Sequence, residues 1–145
     1  MNSEQVQAFA QELGFDLAGV ASAEATPESE FFEKWLNHGY AGQMQYLERQ
    51  KKQRLDPSLL LPGVRSVIVC AMNYNTAFPY TQRSPDRAWI SRYAWGGDYH
   101  EVLRKKLAEL ASWLELQTGA RTRIFVDGGP VLERAFARQI GRAHV

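Results

Sequence analysis

An α/β (α+β) fold, a mixed sheet flanked by helices, is what this chain predicts, and three features carry the prediction. Residues 66–72, Ser-Val-Ile-Val-Cys-Ala-Met, form a continuous β-branched run, the pattern of a strand in the middle of a sheet covered on both faces. Residues 99–117 place Leu103, Leu107, Leu110 and Leu114 on one helical face. Helical and strand patterns alternate along the chain without internal repeats, so the helices are expected to pack on a sheet.

With 145 residues, 45% of them hydrophobic and 23% charged, the chain has the size and balance of one globular domain. A net charge of +1 gives no general reason for binding nucleic acid or acidic lipid; such a partner needs a local patch. The first residues carry neither a basic nor an apolar leader and no run has the length of a membrane span, which predicts a cytoplasmic protein without a membrane partner. Cys70, the single cysteine, lies inside the apolar run and is expected as a buried hydrophobe. Alone it can form no internal disulfide and hold no iron–sulfur cluster. His38, His100 and His144 lack zinc spacing, so no metal ligands are assigned.

Taken in order, Ser3 is the expected N-cap of a first helix whose Val6, Phe9, Ala10 and Leu13 share a face, with Gly14 as its stop. Residues 15–21 read as a strand. Thr26 and Pro27 restart a helix with Phe31, Phe32, Trp35 and Leu36 inward, ended by Gly39. Residues 40–47 predict a short helix with an aromatic and methionine face packed into the core. The basic cluster from Arg49 to Pro57 is either a solvated face or an anion-facing loop, and Arg54 is its member most favoured to be held in place. After the strand at 66–72, residues 76–87 read as a loop with lid potential. Residues 88–94 and 121–126 predict two further strands around the long helix, which Gly119 ends.

Asp127 falls where the last of these strands turns through Gly128 and Gly129 into a helix expected to start at Pro130. Locally it is a strand end and helix cap, or a carboxylate placed for proton chemistry. Arg134 follows one to two helical turns on. A nearby arginine and a helix N-terminus favour ionised Asp127, whereas burial against a large apolar cofactor favours its protonated, acid-competent form. The string Gly96-Gly97-Asp98-Tyr99-His100 puts a carboxylate, a phenol and an imidazole at a helix start, without the spacing of a dinucleotide fingerprint.

Four segments carry a family resemblance: residues 39–47, Arg54-Leu55-Asp56-Pro57 with residues 61–68, residues 92–100, and residues 126–135 with Val126-Asp127-Gly128-Gly129-Pro130. In this order they resemble the amino-terminal domain of bacterial epoxyqueuosine reductases, over residues 1–139. The resemblance implies a cobalamin-dependent oxidoreductase that reduces epoxyqueuosine to queuosine in the tRNA anticodon loop. It also implies a cobalamin-binding fold related to that of reductive dehalogenases. A carboxy-terminal part would carry two 4Fe-4S clusters, fed by an external electron donor. By motif, Asp127 matches the proton donor, and Arg54, Ser91 and Arg134 match cobalamin-contacting positions. Arg92, Asp98 and His100 are assigned to the same pocket.

Residues 140–145, Ile-Gly-Arg-Ala-His-Val, depart from the family and read as a non-native tail, the translation of a sequencing adapter. The chain is accordingly expected to be a monomeric fragment that lacks the iron–sulfur part and cannot turn over alone. The alternatives are a free-standing cobalamin-binding or trafficking domain and a reductive dehalogenase relative.

Overall fold

The first helix, α1 (Ser3–Glu12), is capped by Asn2 and not by Ser3. The Asn2 side chain accepts from the Gln5 backbone at 3.0 Å, and the Gln5 side chain accepts from the Asn2 backbone at 3.0 Å. This reciprocal box needs a polar partner three residues on; from Asn2 that is Gln5, from Ser3 it would be the apolar Val6. Gly14, at φ +84°, ends the helix turn as expected and sends the chain into β1 (Leu17–Ser22).

The computed structural model describes residues 1–78, 86 and 88–141. After β1 come α2 (Pro27–Asn37), α3 (Gln45–Arg49), α4 (Lys51–Leu55), β2 (Ser66–Ala71), α5 (Tyr99–Thr118) and α6 (Glu133–Gln139), with 3-10 turns at Pro57–Leu59 and Arg92–Ala94. Among the described residues the sheet consists of β1 and β2, antiparallel, with Leu17 opposite Ala71 and Ser22 opposite Ser66.

Side chains alternate across this pair, so Ala18, Val20, Ile68 and Cys70 share one face. There α1 and α5 close the main core: Ala10, Phe15, Ala18 and Leu110 are buried, ringed by Leu103, Leu107 and Leu114, and Phe9 stacks on Trp113 at 4.4 Å. The opposite face meets the end of α6. Ile140, the first residue of the expected non-native tail, packs so closely on Gly19 that a Cβ at that position would lie 2.7 Å from its Cδ1, so this packing leaves no room for a side chain there.

The α/β class therefore holds, with a smaller sheet than the strand patterns suggest. Residues 121–126 form no strand. They run beside β2 across a groove of about 680 Å³, held by side chains: Arg121 donates to the Pro62 carbonyl at 3.1 Å and Arg123 to the Leu60 carbonyl at 2.6 Å. With one strand neighbour, β2 is only half-buried through its middle, and is not the covered central strand expected.

Residues 88–94 also form no strand; residues 92–94 coil into a 3-10 turn, because the Arg92 guanidinium gathers the chain back onto residues 75–78. Leu132, at φ −84° and ψ 70°, delays α6 to Glu133, three residues past Pro130. In α2, Leu36 is buried but Phe31 is 69% exposed. Tyr40, Met44 and Tyr46 are exposed too, so the predicted core stripe lies on the surface, and its helix begins only at Gln45. Of the expected lid, residues 79–85 and 87 lie outside the described residues, as do 142–145 of the tail. Desolvation pushes the Cys70 thiol up to about 11, in keeping with an inert sulfur. No helix among the described residues is long and apolar enough to cross a membrane.

Leu110, 2% exposed, sits at the centre of the α1–α5–sheet core. Leu110→Ala is expected to lower stability by about 2–5 kcal/mol, read from urea denaturation midpoints at an unchanged slope.

Candidate active site

The start of α5 is built by Asp98. Its carboxylate caps the helix, accepting the His100 backbone N–H at 2.9 Å and contacting His100 Nδ1 at 2.8 Å. The His100 backbone bond, followed by its ring, holds the Asp98 carboxyl below its ordinary range. An ionised carboxylate only accepts, so Nδ1 carries the proton of that contact. The other ring nitrogen, Nε2, is left facing Asp127 Oδ2 at 3.9 Å.

Tyr99 completes the contact. Its hydroxyl donates to Asp127 Oδ2, while its ring stacks on His100 at 4.1 Å and meets Tyr93 edge-on at 5.8 Å. Tyr93 in turn meets Tyr74 edge-on at 6.2 Å. The hydrogen bond to Asp127, then burial, then the Asp127 charge push the Tyr99 phenol up to about 12.

Asp127 itself stands at φ +51°, the one non-glycine residue at positive φ among those described. That region costs most L-residues roughly 1–2 kcal/mol and is best tolerated by Asn and Asp. The turn is tight, with the Gly128 N–H on the Val126 carbonyl at 2.5 Å. Gly129 is demanded by packing, since a Cβ there would lie 2.5 Å from the Phe125 ring; this glycine serves the fold and not a ligand. Gly96 and Gly97, by contrast, have nothing within 4 Å of where a Cβ would stand, and leave the main chain open.

From the other side, the segment between Asp127 and α6 is braced by Arg54. It donates to the Val131 carbonyl at 3.2 Å and to Gln50 Oε1 at 3.2 Å, while its Nε is buried without a partner. Arg54 is thus held in place, as the sequence suggests. Glu133 lies in the same region, half-buried. Desolvation and then the Asp127 charge raise its carboxyl, opposed by Arg54 and by a hydrogen bond from the Asp127 backbone.

The sequence-predicted residues therefore divide. Asp127, Asp98 and His100 come together. Arg54 reaches the same segment from behind. Arg92 is engaged in structure: it donates to Asn75 Oδ1 and the Phe78 carbonyl, each at 2.8 Å, and lies over the Trp95 ring. Ser91, exposed, caps the 3-10 turn through its backbone. Arg134 is exposed on α6, and no ion pair joins it to Asp127 among the described residues; Tyr99 and His100 occupy that role. Tyr99 and Glu133 are the residues that sequence reasoning missed. Tyr99 stands inside the glycine-rich string already singled out, but its partner lies 28 residues away, and no local pattern gives that pairing.

Beside the cluster, Tyr93 and Tyr74, joined to Tyr99 by edge-on ring contacts, are each more than half exposed and form an aromatic bank next to the acid–base groups. Fold and cluster together define an α/β domain that presents a carboxylate, a phenol and an imidazole at the rim of an open site. Residues 54–128 match the family described as epoxyqueuosine reductase QueG, DUF1730. The chain belongs to the epoxyqueuosine reductase family. It is 45% identical to an epoxyqueuosine reductase of Gloeobacter violaceus over 94% of this chain and 43% of that protein.

Two solved structures are similar. One is an epoxyqueuosine reductase with an epoxyqueuosine-modified tRNA-Tyr stem loop, at TM-score 0.71 and 28% identity over 92% of this chain and 36% of the other. The second is the Bacillus subtilis epoxyqueuosine reductase with its catalytic aspartate loop swung out of the active site, at TM-score 0.69 and 26% identity over 95% and 37%. The chain thus spans about two fifths of the length of these relatives.

Because hydrogen bonding depresses Asp98 in the folded state, its cap contributes stability above the unfolded carboxylate value of about 3.9 and loses it as pH falls through the lower folded value. Asp98→Ala should therefore be less stable than wild type at pH 7. The gap between their melting temperatures should close on acidification below about pH 4.

Proposed function

We propose that this chain is the cobalamin-binding part of a cytoplasmic tRNA epoxyqueuosine reductase, with Asp127 as the proton donor to the opening epoxide. Family membership supports the reaction class; the observation that carries the site is the Asp127 carboxylate, exposed and tethered next to an aromatic bank.

The residues present suit a large, flat, amide-rich group. Exposed Arg134 makes no hydrogen bond or ion pair among the described residues and is available to an amide oxygen or phosphate. Ser91 and the open backbone at Gly96 and Gly97 offer small polar contacts, and the exposed aromatic rings offer apolar area. Arg54 and Arg92 would act at one remove, by shaping the segments that line the site. Bound cobalamin would supply the electron chemistry at the epoxide carbon.

Reducing an epoxide to an alkene consumes two electrons and two protons and releases the oxygen as water. An alkoxide leaves poorly, so a proton must reach that oxygen, and this is the task of Asp127. His100 Nε2, 3.9 Å from the same carboxylate oxygen, would return a proton to it from the imidazolium form, with the Nδ1 proton kept on Asp98. The electrons would come from an external donor through 4Fe-4S clusters outside this chain; Cys70 alone cannot ligate one. The tRNA substrate is proposed by similarity to the stem-loop complex. The 127–129 turn is proposed as the counterpart of the mobile aspartate loop of the Bacillus protein. By this reading the 145-residue chain binds cobalamin as a monomer and does not turn over alone.

An absorbance titration of the chain with cobalamin tests the proposal. Saturable binding is expected, weakened about tenfold in Arg134→Ala, the loss of one charge-assisted contact. Asp127→Asn is expected to bind and, in a protein extended to the length of its relatives, to abolish epoxide reduction. A folded wild-type chain that leaves the cobalamin spectrum unchanged overturns the proposal.

A further inference from the structure

We propose that Tyr99 is a positioning residue, a latch whose phenol O–H holds the Asp127 carboxylate over the site and whose release frees the 127–129 turn. The inference rests on the reading of Asp127 as proton donor and names what controls it. Three observations converge on it. Asp127 is in the left-handed region, a conformation that needs holding, and the tight turn is followed by Gly129, folded onto Phe125. The side-chain hydrogen bond that holds Asp127 comes from Tyr99, and His100 lies farther off at 3.9 Å. Tyr99 itself is rigidly placed, on the first turn of α5 between the rings of His100 and Tyr93.

The latch has a chemical side. When Asp127 gives up its proton, the negative charge appears on a carboxylate whose Oδ2 already accepts the Tyr99 O–H, so the donor stands ready without rearrangement. The groups facing the pair are Asp98 and His100 from the start of α5, Tyr93 from the 3-10 turn and Glu133 from α6. Tyr99 is neutral at physiological pH, and the bond persists up to strongly alkaline conditions. Its contribution to stability is complete below the ordinary phenol value of about 10 and is lost as pH rises through about 12.

The test uses the 145-residue chain without any ligand, so it can fail independently of cobalamin binding. With ring-labelled tyrosine, the Tyr99 carbon bonded to the hydroxyl is followed by NMR against pH. The Tyr99 resonance should titrate at about 12 in wild type and near the ordinary value of about 10 in Asp127→Gly, which keeps the left-handed backbone and removes the acceptor. In parallel, Tyr99→Phe should speed amide hydrogen exchange at Gly128 and Gly129 by about tenfold, while amides of β1 and β2 keep their protection. A wild-type Tyr99 that titrates near 10, or unchanged exchange at both glycines in a folded Tyr99→Phe, overturns the latch.

Discussion

The seating of α5 on α1 and β1 is the constraint on which the rest depends. Leu103, Leu107, Leu110 and Leu114 fix the rotation of that helix by burying one face against Ala10, Phe15 and Ala18. Its position along its own axis is fixed by a polar contact: the Lys106 ammonium donates to the Leu13 carbonyl, one of the acceptors left open at the end of α1. A helix fixed in rotation and axial position presents its first turn at one place only. Tyr99 and His100 are on that turn, so the hydrophobic core 10 or so residues away determines where the phenol and imidazole stand.

The partner carboxylate is held by different means. From Val126 to α6 the chain has no sheet ladder, and its position comes from separate anchors on each side. Arg54 holds the Val131 carbonyl from α4, Gly129 folds onto Phe125, and Ile140 beyond α6 locks onto Gly19 of β1. Each anchor is a close steric or hydrogen-bonded fit that tolerates little substitution, yet none touches the Asp127 side chain. The flanks of the turn are therefore anchored, while Asp127 itself is tethered through its own carboxylate oxygen. This division is what the proposed role of Asp127, proton transfer to a bound ligand, would require.

The elements whose signals are local were legible in the sequence. Gly14, Gly39 and Gly119 mark the ends of α1, α2 and α5 with positive φ, and the leucine face of α5 predicts the core it buries. Arg54 could be singled out because a basic residue beside an Asp-Pro turn has few ways to be idle. The strands at 88–94 and 121–126 failed for one reason: apolar β-branched patterns report a preference, and arginines within them found carbonyl acceptors elsewhere. The exposed stripe of Tyr40, Met44 and Tyr46 failed because periodicity cannot say whether a face has a partner. At the site, Asp127, Asp98 and His100 stood out as chemistry-bearing types in glycine-rich strings. The Tyr99–Asp127 bond did not, since only the fold brings the start of α5 to the 127–129 turn.

That hidden bond also explains why an aspartate, and not a glycine, occupies a left-handed position next to two glycines. Gly at 127 would remove the backbone cost but leave nothing for Tyr99 to hold. Asn would tolerate the backbone and accept the phenol, but it could neither carry the charge nor donate a carboxyl proton. Glu would add a methylene and swing the carboxylate away from a phenol fixed between two rings. Aspartate alone satisfies the backbone, the reach and the chemistry at once. Three independent demands meeting at one residue are the physical basis for proposing Asp127 as the proton donor.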